Sequence, residues 1–500
     1  MDAEMIYKET DEVKRAFASF TSLKIIDIER LTSGNVNDTY KITAASCDEN
    51  SSENVTATEV EPQNRHKSEV GAATEGTTKI RHKSEAGAAI EGARKIENKT
   101  ATEAATEAGN KSDTESKKKT YILQRMNRYA YESPERVMEN VSVIGDYLKQ
   151  DGIAIRIPEY CRNLKGGYLS ELSFQKNGDA SENKGEADIW RLCDFIDSTT
   201  YNKTVDTAIV REAGAAFGRF EASLRNFDPE CLNTVIQGFH DTGKRYGRLL
   251  AAYADNTDFK ATITGIDDIN LQSVSHVISG ETNIGYIEAS AVSAEIKQQV
   301  RDLLSYLLSV RSKACTLTDL RNAGKLPLRV THNDTKINNV LFEKDCRDEN
   351  PINVNEKISS PRAIAIIDLD TCMPGLVADD FGDGIRYAAG ITEEGRITFN
   401  FDNFKAFSEG FIPQVASYLT PLEKDTLYLA PFSMAVELAV RYLTDFLEGN
   451  RYFHTDYYLQ NLDKSRQQAE LSRQMLEREK DIRQVIEAQS VTLLSFSPYH

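Results

Sequence analysis

The feature that most constrains this chain is a polar loop that leads directly into a short apolar hairpin. Residues 331–339 read Thr-His-Asn-Asp-Thr-Lys-Ile-Asn-Asn and are followed by the apolar run of residues 340–342. After a polar stretch, a second apolar run, residues 363–367, ends at Asp368. Two short apolar runs separated by a polar stretch are typical of an antiparallel strand pair. We therefore expect Asn339, which enters the first strand, to lie opposite Asp368, which leaves the second.

The spacing within this loop is that of a phosphoryl-transfer site. His332, Asp334 and Asn339 follow the pattern His-x-Asp, four residues, Asn, in which the Asp takes the proton of an attacking hydroxyl and the Asn holds a metal ion. Asp368, 34 residues after Asp334, adds a carboxylate at the end of a strand. Mg²⁺ prefers few protein oxygens together with phosphate oxygens and water. We therefore predict Asp334 as the catalytic base, Asn339 and Asp368 as Mg²⁺ ligands, and ATP as the phosphoryl donor.

Two neighbouring features are expected to play other parts. His332 is predicted to hold the loop through hydrogen bonds to backbone carbonyl groups rather than to act as an acid or base. The run Asp380-Phe381-Gly382 looks like the metal-binding motif of protein kinases, but it does not follow an apolar strand. Asp368, not Asp380, is therefore the predicted metal ligand.

The composition argues against several kinds of partner and site. The formal net charge of −17 repels nucleic acid and anionic membranes. No run approaches the ~20 apolar residues of a membrane span, and the N-terminus lacks the regions of a signal peptide, so we expect a cytoplasmic protein. The seven cysteines show no C-x-x-C spacing, which favours reduced thiols over a structural zinc site. Nothing in the sequence indicates an obligate protein partner.

Residues 46–118 differ from the rest of the chain. The segment contains no Leu, Met, Phe, Tyr or Trp, so it cannot bury enough apolar surface to offset its ordering entropy. Within it, residues 65–80 repeat as residues 81–96, which makes two tandem copies of sixteen. We predict a disordered insert at the tip of a hairpin whose strands are residues 37–42 and 120–126.

The first part of the chain is predicted to form a small sheet with a helix packed on it. The turn of residues 32–37, with one Gly and several small polar side chains, either lies over phosphate groups or is an ordinary turn. Ser133-Pro134 opens a helix with an N-cap and a Pro at its first position. The apolar side chains of this helix fall on one face and are expected to pack on the sheet. They are Val137, Val141, Ile144 and Leu148.

The later part of the chain is predicted to be mostly helical. Helical spacing of apolar residues recurs over residues 209–224, 293–314, 401–418 and 430–447. Residues 459–486, charged with a thin apolar stripe, are expected to form a helix along the surface. We therefore predict an α+β, bilobal protein-kinase-like fold. Its small antiparallel-sheet N-lobe, residues 1–195, would bind the nucleotide, and its larger helical C-lobe, residues 196–500, would carry the catalytic and substrate sites.

Several segments, in this order along the chain, carry a family resemblance. They read YILQRMN, WRLCDFIDSTTYN, GFHDTGKRY, LRVTHNDTKINNVLF, AIIDLDTCMPG, DFGDGIRYAAG and VRYLTDFLEGNRYF. Together they resemble the N-acetylhexosamine 1-kinases of the aminoglycoside phosphotransferase family of kinase-like folds. Only residues 46–118 and 343–360 fall outside the likeness. It implies an ATP- and Mg²⁺-dependent kinase in which Asp334 is the base on the anomeric hydroxyl of a 2-acetamido sugar.

The resemblance also implies roles for residues that the pattern alone leaves unassigned. Arg441 and Tyr452 would line the sugar pocket, and Tyr387 would add an aromatic wall. Asp383 and Arg386 would brace the catalytic loop. A further set would form the hinge between the lobes, where the backbone meets adenine. These residues are Trp190, Arg191, Leu192 and Cys193.

One departure from the kinase pattern affects the nucleotide site. The lysine that pairs with phosphates in kinases is absent from the third strand, YILQRMN. Gln124 or Arg125 must replace it, and the strand register decides which of them points into the cleft. Arg125 either pairs with Glu139 of the following helix or makes an exposed ion pair.

Two other functions stay open from the sequence. One is a small-molecule kinase of the same fold that acts on an aminoglycoside, choline or another amino compound, which the acidity of the chain would suit. The other is a nucleotide-binding module without catalysis. The second is disfavoured because Asp334, Asn339 and Asp368 are all present.

Overall fold

The structure is a computed structural model that describes residues 3–31, 37–46, 118–128, 130–150, 155–173, 187–256, 293–344 and 360–491. Backbone contacts group residues 1–44 with 119–500 in one unit and set residues 45–118 apart as a second. The predicted insert therefore lies outside the described residues except at its ends, as does most of the turn at residues 32–37. The predicted lobe boundary at residue 195 falls inside the first unit and stays a prediction.

A five-stranded sheet forms in the first part of the chain. Its strands are β1 (Lys24–Leu31), β2 (Asp38–Ala45), β3 (Lys119–Met126), β4 (Ser170–Leu172) and β5 (Asp188–Asp194), in the spatial order β1-β2-β3-β5-β4. β2 and β3 are antiparallel neighbours, which confirms the hairpin predicted to flank the insert.

The strand register gives this sheet two different faces. Thr39, Gln124 and Arg191 lie opposite one another on β2, β3 and β5 and therefore share one face. The other face is apolar and is covered by helix α1 (Ala3–Ala18). The side chains buried there are Val13 and Phe17 of the helix with Tyr40, Leu123 and Leu192 of the sheet. The polar face is thus left for contacts with the rest of the molecule.

Helix α2 (Pro134–Gln150) begins where the sequence predicted. Its predicted apolar residues are buried, with side-chain exposures of 5% or less. They belong to one apolar cluster with Met126 of β3 and Ile189 of β5. The prediction that this helix packs on the sheet is therefore confirmed.

The described chain after β5 is mostly helical. Its helices are α3 (Thr207–Ser223), α4 (Thr242–Asp255), α5 (Ala294–Ala314), α6 (Thr316–Asn322), α7 (Val377–Ala389), α8 (Phe401–Val415), α9 (Pro421–Thr426), α10 (Ala430–Leu447), α11 (Gln460–Glu477) and α12 (Glu479–Val491). Short strands pair in twos: β6 (Arg329–Thr331) with β9 (Met373–Gly375), β7 (Val340–Phe342) with β8 (Ala363–Ile366), and β10 (Gly390–Glu393) with β11 (Arg396–Phe399). The predicted bilobal, kinase-like α+β fold is confirmed. None of the helices in the described ranges is both long and apolar enough to cross a bilayer.

Two glycines allow α3 and α8 to pack very closely. A Cβ on Gly214 would lie 2.4 Å from the carbonyl oxygen of Phe407, and one on Gly410 would lie 2.0 Å from that of Arg211. Any larger residue at either position would push the two helices apart. This contact fixes α3, whose Phe217 ring lies against the catalytic loop.

The prediction of one charged surface helix over residues 459–486 is wrong. The chain forms two helices, α11 and α12, which meet at Arg478. The apolar stripe of α11 is buried against α10, and the Ser465 hydroxyl donates to the carbonyl of Ala439 at 2.7 Å. Small polar residues whose hydrogen bonds are satisfied can face a core. The buried face of α11 is therefore wider than its apolar residues alone indicated.

Candidate active site

The predicted loop and hairpin bring Asn339 and Asp368 together. β7 and β8 are antiparallel, with Val340 opposite Ile366. Beyond this pair, the Ile367 N–H donates to the Asn339 carbonyl at 2.9 Å. The two predicted metal ligands therefore leave neighbouring backbones at the same end of the hairpin, as the strand pattern indicated.

Asp334 lies on the loop between β6 and β7, with its carboxylate held by two donors. Asn339 Nδ2 donates to Oδ2 at 3.1 Å, and Lys336 Nζ lies 2.7 Å from Oδ1. Burial lowers the pKa of Lys336, but the Asp334 and Asp383 carboxylates outweigh this and raise it. The ammonium group therefore stays charged beside the predicted base. Lys336 was not predicted as a site residue, although its place two residues after Asp334 was a usable signal.

His332 connects the catalytic loop to the end of β8. Its ring is fully buried, with Nε2 3.0 Å from the carbonyl oxygen of Ile367. The Asp334 N–H donates to Nδ1 at 3.3 Å. A carbonyl oxygen can only accept and an amide N–H only donates, so these contacts define the neutral tautomer with its proton on Nε2. Such contacts are those of a residue that holds the loop.

Asp380, in α7, fixes the backbone of the same loop. Its carboxylate accepts the N–H groups of His332 at 2.7 Å and Asn333 at 2.6 Å. Asn333 has a left-handed φ of 63°, which few residues other than glycine adopt without such support. Both oxygens of Asp380 are thus occupied by loop donors, and the residue is not placed to bind a metal.

Asp368 differs from Asp380 because its carboxylate has no donor among the described residues. Burial and the nearby carboxylates of Asp370 and Asp334 raise its pKa to about 7. Asn339 turns its NH₂ group to Asp334, which leaves its amide oxygen as a ligand atom. A partly buried carboxylate among other carboxylates, next to an amide oxygen, fits a divalent cation whose other ligands are phosphate oxygens and water.

Asp383 and Arg386 form an ion pair next to this loop. Arg386 donates to Asp383 Oδ1 from Nε at 2.9 Å and from Nη2 at 2.6 Å. Burial raises the pKa of Asp383, but Arg386 and Lys336 outweigh it and hold the pKa below its ordinary value. Tyr387 is half-buried, and burial raises its pKa, with Lys336 and Asp334 among the charges that act on it. These residues therefore surround the loop that carries the predicted base.

Arg441 and Tyr452 come together at the C-terminal end of α10. The Arg441 guanidinium lies 5.5 to 5.9 Å from the ring centres of Phe239, Tyr452 and Phe453. Arg441, Tyr452 and Phe453 line a pocket together with Arg245, whereas Phe239 is not part of its lining. Burial and the charge of Arg441 lower the pKa of Arg245. The structure thus assembles the predicted pair, and its role in substrate binding stays a prediction.

Tyr442, which follows Arg441 on α10, makes an aromatic contact at the edge of this pocket. The ring of Tyr442 lies 4.5 Å from that of Phe453 at the pocket edge. Tyr442 and Asp334 both act electrostatically on Arg386, which places all three in one neighbourhood.

The register decides between Gln124 and Arg125. Gln124 shares the polar face with Arg191, from which it accepts a hydrogen bond at 2.9 Å. Arg125 lies on the opposite face, where its Nε donates to Asp38 at 2.9 Å. The register therefore favours Gln124 over Arg125 for the nucleotide site, and that role stays a prediction. Of the two pairings considered for Arg125, the one with Glu139 is not formed, because Arg125 pairs with Asp38 and Glu139 accepts from Asn233.

The hinge assignment of Trp190, Arg191, Leu192 and Cys193 needs correction. All four lie inside β5, which pairs with β3 on one side and with β4 and residues 159–161 on the other. They therefore lie within the sheet and not in a connection that leaves it. The chain leaves the sheet only after Asp194, and Ile196 then packs against Leu341 of β7. The segment was misjudged because its buried side chains suit a central strand as well as a lobe junction.

Comparison with known proteins gives the family. A model of the phosphotransferase enzyme family (APH) matches residues 108–411. Among solved structures, the chain is similar to a microcompartment-associated aminopropanol kinase, with a TM-score of 0.48, 11% identity, and coverage of 94% of this chain and 98% of that one. It is also similar to an aminoglycoside phosphotransferase from Alicyclobacillus acidocaldarius, with a TM-score of 0.44, 11% identity, and coverage of 74% and 88%. For an ethanolamine kinase from Plasmodium vivax the values are 0.38, 11%, 72% and 78%. Because the family match spans more than half of its residues, the chain belongs to the phosphotransferase enzyme family.

Proposed function

We propose that this phosphotransferase uses Mg²⁺ and ATP to phosphorylate the anomeric hydroxyl of a 2-acetamido sugar, N-acetylglucosamine or N-acetylgalactosamine. The family supplies the reaction class. The observation that carries the acceptor is the pocket in which the Arg441 guanidinium is surrounded by aromatic rings. The resemblance of the run VRYLTDFLEGNRYF to sugar 1-kinases supports the same assignment.

In this proposal Asp334 takes the proton of the attacking hydroxyl. Its two oxygens each receive one donor, from Lys336 and Asn339, and each keeps a further lone pair for the substrate. An anomeric hydroxyl is more acidic than an ordinary alcohol, so a carboxylate base is sufficient. Lys336, charged beside Asp334, is suited to stabilise the negative charge on the transferred phosphoryl group.

Asn339 and Asp368 would hold the magnesium ion. When bound, Mg²⁺ would offset the negative charge that develops on the phosphoryl group during transfer. The unpaired carboxylate of Asp368 and the amide oxygen of Asn339 support this role. Gln124, on the polar face of the sheet, is our remaining candidate for the nucleotide side of the cleft.

The charges of the acceptor pocket favour a neutral sugar over a cationic amino compound. Arg245 and Arg441 form no ion pair among the described residues, and the charge of Arg441 acts on Arg245. The two carboxylates of the pocket are already engaged, since Asp445 accepts backbone N–H groups of residues 451–453 and Glu448 pairs with Arg248. A cationic acceptor would add a like charge next to both arginines. A sugar can instead accept hydrogen bonds from Arg441 through its acetamido carbonyl and pack its ring on an aromatic face.

A panel of acceptors tests this proposal. ADP release would be measured with ATP, Mg²⁺ and each of several free sugars, 2-acetamido sugars, choline, ethanolamine and an aminoglycoside. We expect the 2-acetamido sugars to react and to give phosphates that resist borohydride reduction, because C1 is blocked. A C6 phosphate, or activity with amino compounds alone, would refute the acceptor assignment and leave the family assignment unaffected.

A further inference from the structure

A fully buried ion pair joins the sheet to the loop that presents the predicted metal ligand. Arg191 of β5 donates to Asp370 from Nη1 to Oδ1 at 2.5 Å and from Nη2 to Oδ2 at 2.9 Å. The side chains are 1% and 0% exposed. Such two-point contact between a planar guanidinium and a carboxylate fixes orientation as well as distance.

Other residues of the sheet hold the two partners in place. Asn37, at the start of β2, donates to Asp370 Oδ2 at 3.0 Å and accepts the Asn127 N–H at 3.0 Å. Gln124 accepts from Arg191 Nε at 2.9 Å. Asp370 is thus held by donors from two strands, and each of its oxygens is occupied.

This occupation distinguishes Asp370 from Asp368. A second carboxylate two residues from a metal ligand would be a natural further ligand, but Arg191 and Asn37 use its oxygens. Asp368 itself has a left-handed φ of 63°, a conformation that a non-glycine residue keeps only when its surroundings hold it. The turn after Asp368 is fixed from one side by the Thr371 hydroxyl, which donates to the His332 carbonyl at 2.7 Å. The Asp370 contacts fix it from the other.

We propose that Arg191 is a positioning residue that holds Asp368 in its metal-binding orientation by anchoring Asp370 to the sheet. It acts from β5, next to the third strand from which the kinase lysine is absent. Residues that hold a metal ligand in place commonly increase the affinity for the metal ion, because they orient that ligand. The inference rests on the proposed Mg²⁺ role of Asp368, and it does not depend on the identity of the acceptor.

The test uses variants that separate positioning from stability. Arg191→Met alone leaves Asp370 as an unpaired buried charge and is expected to destabilise the protein. The double variant Arg191→Met/Asp370→Leu removes both charges and should remain folded, since replacing both partners of a buried pair is often tolerated. The matched control is Arg211→Met/Glu409→Leu, which removes an ion pair between α3 and α8.

Mn²⁺ binding in the presence of ADP, followed by electron paramagnetic resonance, is the main readout. We expect the dissociation constant for Mn²⁺ to rise about 10- to 100-fold in the folded double variant and to stay unchanged in the control. In kinetic assays the Mg²⁺ concentration for half-maximal rate should rise more than the maximal rate falls.

Wild-type Mn²⁺ affinity in the folded double variant would overturn the inference. If the double variant does not fold, Arg191→Lys takes its place, because it keeps the charge but loses the two-point contact. A Mn²⁺ affinity equal to that of the wild type in Arg191→Lys would also refute the inference. The binding assay contains no acceptor, so a wrong acceptor assignment would leave its outcome unchanged.

Discussion

The buried pair of His240 and Glu437 is expected to make the protein less stable at alkaline pH. His240 Nδ1 lies 3.1 Å from Glu437 Oε1, and the Thr242 hydroxyl donates to Oε2 at 3.0 Å. Both side chains are buried. Burial alone lowers the pKa of His240, but the Glu437 carboxylate outweighs it and raises the pKa from its ordinary value of 6.5 to about 9.

The direction of the effect follows from proton linkage. The folded state binds the His240 proton more tightly than the unfolded chain, so this contribution to stability is complete below about pH 6.5 and is lost as the pH rises through about 9. Since one pKa unit corresponds to about 1.4 kcal/mol, the pair contributes about 3 kcal/mol to the free energy of unfolding. Burial raises the pKa of Glu437 and His240 outweighs it, so the net shift is downward and its contribution is lost only at acid pH.

Urea unfolding of the wild type and of His240→Gln at several pH values measures this quantity. The glutamine keeps a donor for Glu437 but cannot titrate, so the difference in unfolding free energy between the two proteins isolates His240. We expect this difference to decrease by about 3 kcal/mol between about pH 6 and pH 10. A difference that stays constant over this range would refute the argument that His240 is charged in the folded protein.

Four further predictions concern the site and the insert. Asp334→Asn should lower kcat roughly 10²- to 10⁴-fold while nucleotide affinity, measured by calorimetry, is retained. Asp368→Ala should instead raise the concentrations of Mg²⁺ and ATP that give half-maximal rate, because it removes a predicted metal ligand. Arg441→Ala should impair the sugar reaction by orders of magnitude, since loss of a charged donor that the bound sugar covers costs about 2 to 5 kcal/mol, and should leave ATP affinity nearly unchanged. Replacing residues 46–118 by a short turn should change the free energy of unfolding by no more than about 1 kcal/mol, and a large loss of folded protein would show that the composition was misinterpreted.

The sequence predicted those parts of the structure that depend on neighbouring residues. The hairpin of β7 and β8 could be foreseen because two apolar runs flank one polar stretch, and the placement of Asn339 and Asp368 at the same end of the hairpin followed from it. Helix α10 was predicted with the bounds it has, because its apolar residues keep helical spacing throughout. In each case local pattern and tertiary packing favour the same structure.

The predictions that failed depended on strand register and on distant contacts. Side chains alternate between the two faces of a strand, so without the register Gln124 and Arg125 could not be told apart. Arg191 was expected at a hinge, yet it forms an ion pair with a residue 179 positions later. A local sequence pattern cannot identify an ion-pair partner so far away along the chain. Lys336 is different, because its position two residues after Asp334 was visible in the sequence.

The two faces of the sheet carry different charged residues in the absence of the third-strand lysine. On one face, α1 covers the apolar row that includes Leu123 and also takes up Arg125, whose guanidinium lies 3.7 Å from Glu12. On the other face, Gln124 and Arg191 lie side by side, and Arg191 places a positive charge beside the position of Gln124. That charge is aimed at Asp370, in the loop that follows β8, and not at open solvent. A lysine in the position of Gln124 would lie close to the Arg191 guanidinium and repel it, so the Arg191 anchor disfavours a lysine at that position.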